Sequence, residues 1–460
     1  KNGILDDCFC SDLHDHRRTA LYADACGRTS VERNIHMFKK FKEILKNKEV
    51  QKKLLFTILI FAVYRYGCTL TVPGINKESV KISTDSVFAI MNLIGGGALN
   101  NFSIFALGVG PFITASIIVE LMAGVIPYLE DIKEEGEKGR KKIERISRFL
   151  ALFLAIIQGW SIVYGFNAQY HIMTDTGILS YAFIITILVG GTMAVSWLAD
   201  MITVHGIGNG MSMLIFVGIV SSLPNTFYGN FSRAVLGSAE TGQLAQGIFH
   251  FICFVLIYLV LILGVVVIES AEKRIHIMSS NGRMSNGSTS SFMPVKLNSA
   301  GVIPIIFAQS IITVPQMIVS FANYDVYQKM NAFLSFGSAT GIAAYGVLTF
   351  LMAFFYTSVV LDTEEISERF KKEGFFIPNI RPGKDTEKYL NIVINRTTLI
   401  GAVFITVMAV LPYVLALFST VTSTAALGGT GVIVAVGVLI ETMANLESIQ
   451  TESKYNTAWF

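Results

Sequence analysis

Apolar stretches of membrane-crossing length alternate with polar connections along most of the chain. A hydrocarbon core of about 30 Å needs roughly 20 apolar residues in a helix, because in lipid the backbone satisfies its polar groups only as a helix or a closed barrel. Ten runs fit: residues 54–72, 111–129, 149–166, 181–198, 208–223, 248–267, 301–321, 342–361, 397–417 and 431–446. The fifth and tenth are rich in glycine. The pattern predicts an all-α polytopic membrane protein of ten transmembrane helices. Residues 86–105, just before the second run, are moderately apolar but broken by Gly95-Gly96-Gly97 and Asn100-Asn101. That segment is too interrupted for a full span. It suits a re-entrant half-helix buried in protein, or an extracellular amphipathic helix.

Composition agrees with the pattern. Of 460 residues, 52% are hydrophobic and only 15% charged, and the mean hydropathy is +0.56, so most of the surface faces lipid. A net charge of +3 is too small to argue for nucleic acid, and its distribution says more than its sum. Lys and Arg number seven in residues 37–53, seven in 130–148, four in 269–298 and six in 362–391, with Lys454 near the end. The alternate connections hold only Lys77, Lys81, Arg233 and Lys329. Cytoplasmic loops retain basic residues during insertion, so both termini are expected in the cytoplasm. Two of the basic connections, 269–298 and 362–391, are far longer than a helical bundle requires. They read either as docking loops or as solvated connectors. The second holds Arg381-Pro382-Gly383, a pre-shaped turn.

The five cysteines imply no disulfide framework. Cys8, Cys10, His14, His16 and Cys26 match no zinc-binding spacing, and residues 1–36 are expected to be a disordered or upstream-derived tail before a start at Met37. Five spans on each side of Arg233 suggest halves 37–246 and 247–460 of opposite orientation, as in proteins that form a passage between halves.

Enzyme chemistry finds no support in the motifs: there is no His-Glu-x-x-His, Gly-x-Ser-x-Gly, paired-aspartate or Walker pattern. His171, His205 and His250 read as interfacial residues. Ionisable residues at membrane depth are few, namely Arg65, Glu120 and Glu441, with Asp200 and Arg396 at span ends. Such residues read as functional by default, although Arg65 pairing with helix-end carbonyls is an equally good structural account. Val109 and Ile113 lie four apart, as do Met211 and Ile215, each pair on one helix face beside a glycine. Packed core is the usual meaning of such pairs; a narrow aliphatic collar that closes a pore is the other.

Seven blocks, in order, resemble the SecY family, the main subunits of the Sec protein translocase, over residues 37–460. They are Val72-Pro73-Gly74, GGALNNFSIFALGVGPFITASII from Gly96, EEGEKGRKKI from Glu134, HGIGNGMSMLIF from His205, KLNSAGVIPIIFA from Lys296, GFFIPNIRPGKDTEKYL from Gly374 and LGGTGVIVAVGV from Leu427. The resemblance implies two five-helix halves closing like a clamshell around an hourglass pore, with a lateral gate toward lipid. On matching positions the pore ring would be Val109, Ile113, Met211, Ile215, Ile306 and Val434. Residues 86–105 would be the plug, with Ser86, Phe88, Leu93, Gly96, Asn100 and Phe105 its marker positions. The gate would lie between the second and third spans and the seventh and eighth, with Thr114, Ser116, Gln158 and Gln309 as polar contacts. Lys273, Arg274, Arg283, Arg381, Pro382 and Gly383 would dock the motor ATPase SecA or the ribosome.

Further expectations follow from the same resemblance. SecE and SecG would be partner subunits, and signal peptides, nascent polypeptides, the signal-recognition-particle receptor and membrane lipid would be further partners. No nucleic acid would bind directly, save ribosomal RNA. No catalytic residue, metal or cofactor is implied, and the location would be the bacterial cytoplasmic membrane. Two departures stand out: the stretch from Met278 is poorer in basic and aromatic residues than the family pattern, and Glu120 replaces the commoner glutamine. The alternatives are an accessory paralogue or insertase and an ion-coupled secondary transporter using Glu120 or Arg65.

Overall fold

The computed structural model describes residues 48–76, 87–124, 126–173, 175, 177–237, 244–279, 290–298, 301–322, 333–334, 336, 338–361, 363–418 and 423–458. The tail with its cysteines and histidines, Lys77, Lys81, Ser86, Arg283 and Lys329 lie outside the described residues. The chain forms two compact units. The larger, Phe56–Asn445, holds nearly all of the structure; the smaller joins Lys1–Leu55 to Leu446–Phe460, and its described residues are helical.

Thirteen α-helices follow in order among the described residues: α1 Lys48–Gly67, α2 Val87–Ile94, α3 Gly110–Ala123, α4 Pro127–Glu134, α5 Glu137–Tyr170, α6 Ile178–His205, α7 Gly210–Phe231, α8 Leu244–Ser270, α9 Ile303–Ala322, α10 Ala339–Val360, α11 Thr363–Glu373, α12 Lys384–Phe418 and α13 Ser423–Ala458. Each of the ten apolar runs overlaps one of these helices, or the pair α3–α4 for the second run. Seven helices are long and apolar enough to cross a membrane, and the bent pair α3–α4 would make eight. The protein is therefore a polytopic, all-α membrane protein with seven to eight apolar spans.

The second run departs from expectation. It does not continue straight to residue 129: α3 and α4 meet at a bend of 102°. Pro127 lacks a backbone N–H and forces the residue before it out of the helical region. Ile126 is accordingly extended, with φ −96° and ψ 114°.

Local chemistry sets the other boundaries. The Asn209 side chain accepts a hydrogen bond from Met211 N at 3.0 Å and so caps α7, while Ser338 Oγ accepts one from Gly341 N at 3.1 Å and caps α10. His171, at φ 48°, takes the left-handed conformation that closes α5. Within the spans, buried hydroxyls donate to carbonyls one turn back, as Thr192 does to Leu188 (3.1 Å), Thr349 to Tyr345 (2.8 Å) and Thr357 to Ala353 (2.8 Å). This satisfies them where no water is present.

A small sheet accompanies the helices. Strands β1 Glu272–Ser279, β2 Ser290–Lys296 and β3 Phe375–Phe376 lie in the order β2-β1-β3, all antiparallel. The connection 269–298, read from sequence as a long docking loop or solvated connector, is thus a hairpin over its described residues. Alternation explains it: Ile275 and Ile277 are buried while Arg274 and His276 are exposed.

The main core draws on the spanning helices, from Ile60 and Tyr64 on α1 to Val438 on α13. A second cluster packs Ile162, Val163 and Phe166 of α5 and Ile184, Ile185 and Leu188 of α6 around Leu99, Phe102 and Leu107. Here α6 meets bare backbone, since a Cβ on Gly191 would overlap the Ile104 carbonyl oxygen. Gly191→Ala is therefore expected to destabilise the protein by about 1–3 kcal/mol. Gly190→Ala, whose Cβ would meet nothing within 4 Å, should be neutral or slightly stabilising. Thermal unfolding of the two purified variants checks the contrast.

Candidate functional site

The six residues expected to form a collar converge. Val109 precedes α3, Ile113 lies on it, Met211 and Ile215 on α7, Ile306 on α9 and Val434 on α13. Val109, Ile215 and Val434 are buried in the main core, and Ile113, Met211 and Ile306 pack against it. Gly431, one turn before Val434, lets α13 close in: a Cβ there would come within 3.0 Å of Leu93 and 3.1 Å of Ile219.

The end of short helix α2 lies beside these side chains. Leu93 and Ile94 share a void of about 10 Å³ with Ile215, Ile306 and Val434, while Ile94 shares a second, of about 50 Å³, with Val109, Ile113 and Ile306. Neither void accommodates a polypeptide, given a helix diameter of about 10–12 Å. Backbone contact makes this closeness possible. Gly96 takes φ 65°, and a Cβ on it would fall 2.9 Å from Ser221 Oγ and 3.0 Å from the Gly218 Cα. A Cβ on Gly218 would in turn overlap the Ile94 carbonyl oxygen. Gly218 was missed from sequence, although a glycine inside a span is a known signal of close backbone approach.

Residues 86–105 divide into two parts. Phe88 lies in α2; Asn100 is exposed and its N–H donates to Asn92 Oδ1 at 2.9 Å. The remainder is firmly held: Leu99, Phe102 and Ser103 are fully buried, Val72 N donates to Phe102 O and Ile104 N to Leu70 O, each at 3.0 Å. Phe105 stacks on Tyr64 with ring centroids 5.9 Å apart.

Of the four polar gate candidates, Thr114, Gln158 and Gln309 line the larger void together, whereas Ser116 is half-buried on α3 and is not among its lining residues. Helix α9 packs against α3, α5 and α10. Thr114 Oγ1 donates to Gly110 O at 3.1 Å. Glu120 is half-buried on α3, and Asp200 pairs with Arg148 at 2.9 Å.

The docking candidates belong to one body. Ile275 and Ile277 of β1, Val295 of β2, Ile377 and Leu390, Val393 and Ile394 of α12 form a separate apolar cluster that joins the two long connections. Lys273 and Arg274 are exposed on β1, Arg274 pairing with Glu272 at 2.9 Å. Exposed Arg381 and Pro382 lead into Gly383, at φ 106°. Their turn is fixed from both sides: Thr386 Oγ1 donates to Arg381 O and Ser367 Oγ to Gly383 O, each at 2.9 Å.

Chemically, the aliphatic side chains around these voids, with Thr114, Gln158, Gln309, Ser310 and Thr313 beside them, form a mostly apolar lining without a titratable group. It can exclude water and ions, and it can deform around a passing chain.

Comparison with known proteins gives consistent results. The family model described as SecY matches residues 103–443. The protein translocase subunit SecY of Mycoplasma capricolum subsp. capricolum is 37% identical over 426 residues, covering 88% of this chain and 88% of that protein. A solved structure described as "The structure of a protein conducting channel" superposes with a TM-score of 0.64 at 18% identity, over 87% of this chain and 92% of that one. Sec61 in the canine ribosome–channel complex from the endoplasmic reticulum superposes with a TM-score of 0.60 at 18% identity, over 87% and 92%. At that identity both bear on the fold alone.

The shared apolar cluster has a testable consequence. Ile394→Asp buries a carboxylate among aliphatic groups, at a cost of several kcal/mol. It should render both 269–298 and 362–391 protease-sensitive together without loss of helical circular dichroism, whereas Lys273→Asp, on the exposed face, should leave the digestion pattern unchanged.

Proposed function

The chain belongs to the SecY family of pore-forming translocase subunits, parts of a protein-conducting channel rather than enzymes, and on that premise we propose how its residues divide the work. Its ten apolar runs form two halves, 37–246 and 247–460, around a central conduit. Val109, Ile113, Met211, Ile215, Ile306 and Val434 are the constriction, and α2 is the plug that closes it from the side away from the basic loops. The observation that carries this reading is that Leu93 and Ile94, at the end of α2, line the same small voids as Ile113, Ile215, Ile306 and Val434. A hydrophobic constriction closed by a hydrophobic stopper holds no continuous water and so blocks ions.

Opening requires α9 to leave α3 and α5, where Thr114, Gln158 and Gln309 meet. A signal peptide, being an apolar helix, partitions through that seam into lipid. The driving force comes from outside. The joined connections present Lys273, Arg274 and Arg381 to a cytoplasmic partner, SecA or the ribosome; SecE and SecG complete the heterotrimer, and the signal-recognition-particle receptor delivers nascent chains. The membrane is the bacterial cytoplasmic membrane, with both termini inside. Membership of the family, carried by the 37%-identical bacterial relative, supports these assignments.

Two experiments test the reading. A photo-crosslinker at Ile113 should capture a stalled secretory precursor in vesicles supplied with SecA and ATP. Ile113→Gly with Ile215→Gly should also raise resting ion conductance, and a well-folded variant that neither crosslinks nor leaks would sink the proposal. Arg381→Glu is expected to reduce SecA-driven translocation about tenfold or more while the variant itself still inserts and assembles; loss of assembly would point to misfolding instead.

A further inference from the structure

The plug reading leaves Arg65 unexplained. It stands in the last turn of α1, half-buried, and charge at membrane depth is costly unless paired. Its Nη1 donates to the carbonyl oxygen of Gly96. That carbonyl lies just past the end of α2, whose last residue is Ile94. A helix C-terminus carries partial negative charge and unpaired carbonyls. Arg65 therefore serves two such ends at once, that of its own helix and that of α2.

Two neighbours act at the same place. Cys68 Sγ lies 3.7 Å from the Gly95 carbonyl oxygen, and Asn101 Nδ2 donates to Cys68 O at 3.3 Å. On the opposite side α2 is clasped by α7, where Gly96 and Gly218 touch backbone to backbone. Beyond Ala98 the chain is immobilised by the burial of Leu99, Phe102 and Ser103 and by the bonds from Val72 and Ile104. Gly95, Gly96 and Gly97 thus lie between a removable helix and a fixed anchor. Gly96 and Gly97 have positive φ, at 65° and 85°, a conformation glycine adopts freely. A withdrawal of α2 that carries the Gly96 peptide with it breaks the bond to Arg65.

We propose that Arg65 is the latch of the plug: its guanidinium, bound to the Gly96 carbonyl, holds α2 in the constriction and sets how often the resting channel opens. This rests on the reading of α2 as the plug and adds a residue outside both plug and ring. Arg65 is a positioning residue, since it touches neither the constriction nor the translocating chain. Its partner is a main-chain carbonyl, so side-chain changes along α2 leave the latch intact.

Cys68 supplies a native reporter. It is buried, with 1% of its surface exposed, and its contact with Gly95 means that departure of the plug uncovers it. The test uses the full chain, assembled with its partner subunits in right-side-out vesicles, with Cys8, Cys10, Cys26 and Cys253 replaced by serine. A membrane-impermeant maleimide is added outside, and resting conductance is recorded in parallel in planar bilayers. A charge-assisted hydrogen bond lost from the closed state corresponds to about a tenfold to hundredfold gain in the open population. Arg65→Met should accelerate Cys68 labelling and raise conductance by that factor. Arg65→Lys, which keeps the cation but not the fork, should fall between. Gly218→Ala, which forces α2 off α7 without touching Arg65, should match Arg65→Met.

If Gly218→Ala labels and leaks while Arg65→Met behaves like the parent, the latch is wrong and the plug stands. If Gly218→Ala uncovers Cys68 without a leak, α2 is not the seal and the latch falls with it. Should Arg65→Met fail to assemble, Arg65→Lys decides: labelling at the parental rate overturns the proposal.

Discussion

Inside a bilayer a backbone carbonyl or N–H has no water to turn to, and this one constraint shapes nearly everything described here. It makes the spans helices and sends the hydroxyls of Thr192, Thr349 and Thr357 back to their own backbone. It also governs the segment between α1 and α3, the least regular backbone among the apolar elements. Its described residues survive by being wrapped in protein: Val72 N–H binds Phe102 O and Ile104 N–H binds Leu70 O within the segment, Leu99 and Phe102 are fully buried, and Gly191 and Gly218 bring whole helices against the carbonyls of Ile104 and Ile94. Arg65 completes the set by serving the exit of α2.

The same constraint explains why the seal and the landing surface are built differently. At the proposed constriction, aliphatic side chains from α7, α9 and α13 surround an aliphatic helix end, with Gln309 and Thr430 the polar groups lining the same void. Where water is available, in the joined connections, a hairpin, a short strand and the start of α12 enclose their own small core, and Lys273, Arg274 and Arg381 are exposed, Arg274 in its ion pair with Glu272.

Much of this was legible from the residues. Hydrophobic periodicity located every spanning helix, because burial in lipid demands a long uninterrupted run. The pairs Val109–Ile113 and Met211–Ile215 were visible as stripes, but Ile306 and Val434 each stand alone on their helices and entered only through family likeness. The hairpin was hidden by a Ser- and Asn-rich composition, although the alternation around Ile275 and Ile277 was there to be read. The bend after Ala123 was masked by hydropathy that continues across Pro127. The partner of Arg65 was beyond any local pattern: a main-chain oxygen 31 residues away leaves no mark on sequence periodicity.

The fixed anchor after Ala98 has one more consequence. As the proposed plug, α2 is joined to its socket by a few residues and does not diffuse away when it yields; its effective concentration stays in the millimolar range or above, as for any short tether. Resealing is thus a first-order event, independent of how many channels the membrane holds. The ease with which the passage admits a substrate and the speed with which it recovers are set by separate parts, the first by what grips α2 and the second by the length of its leash.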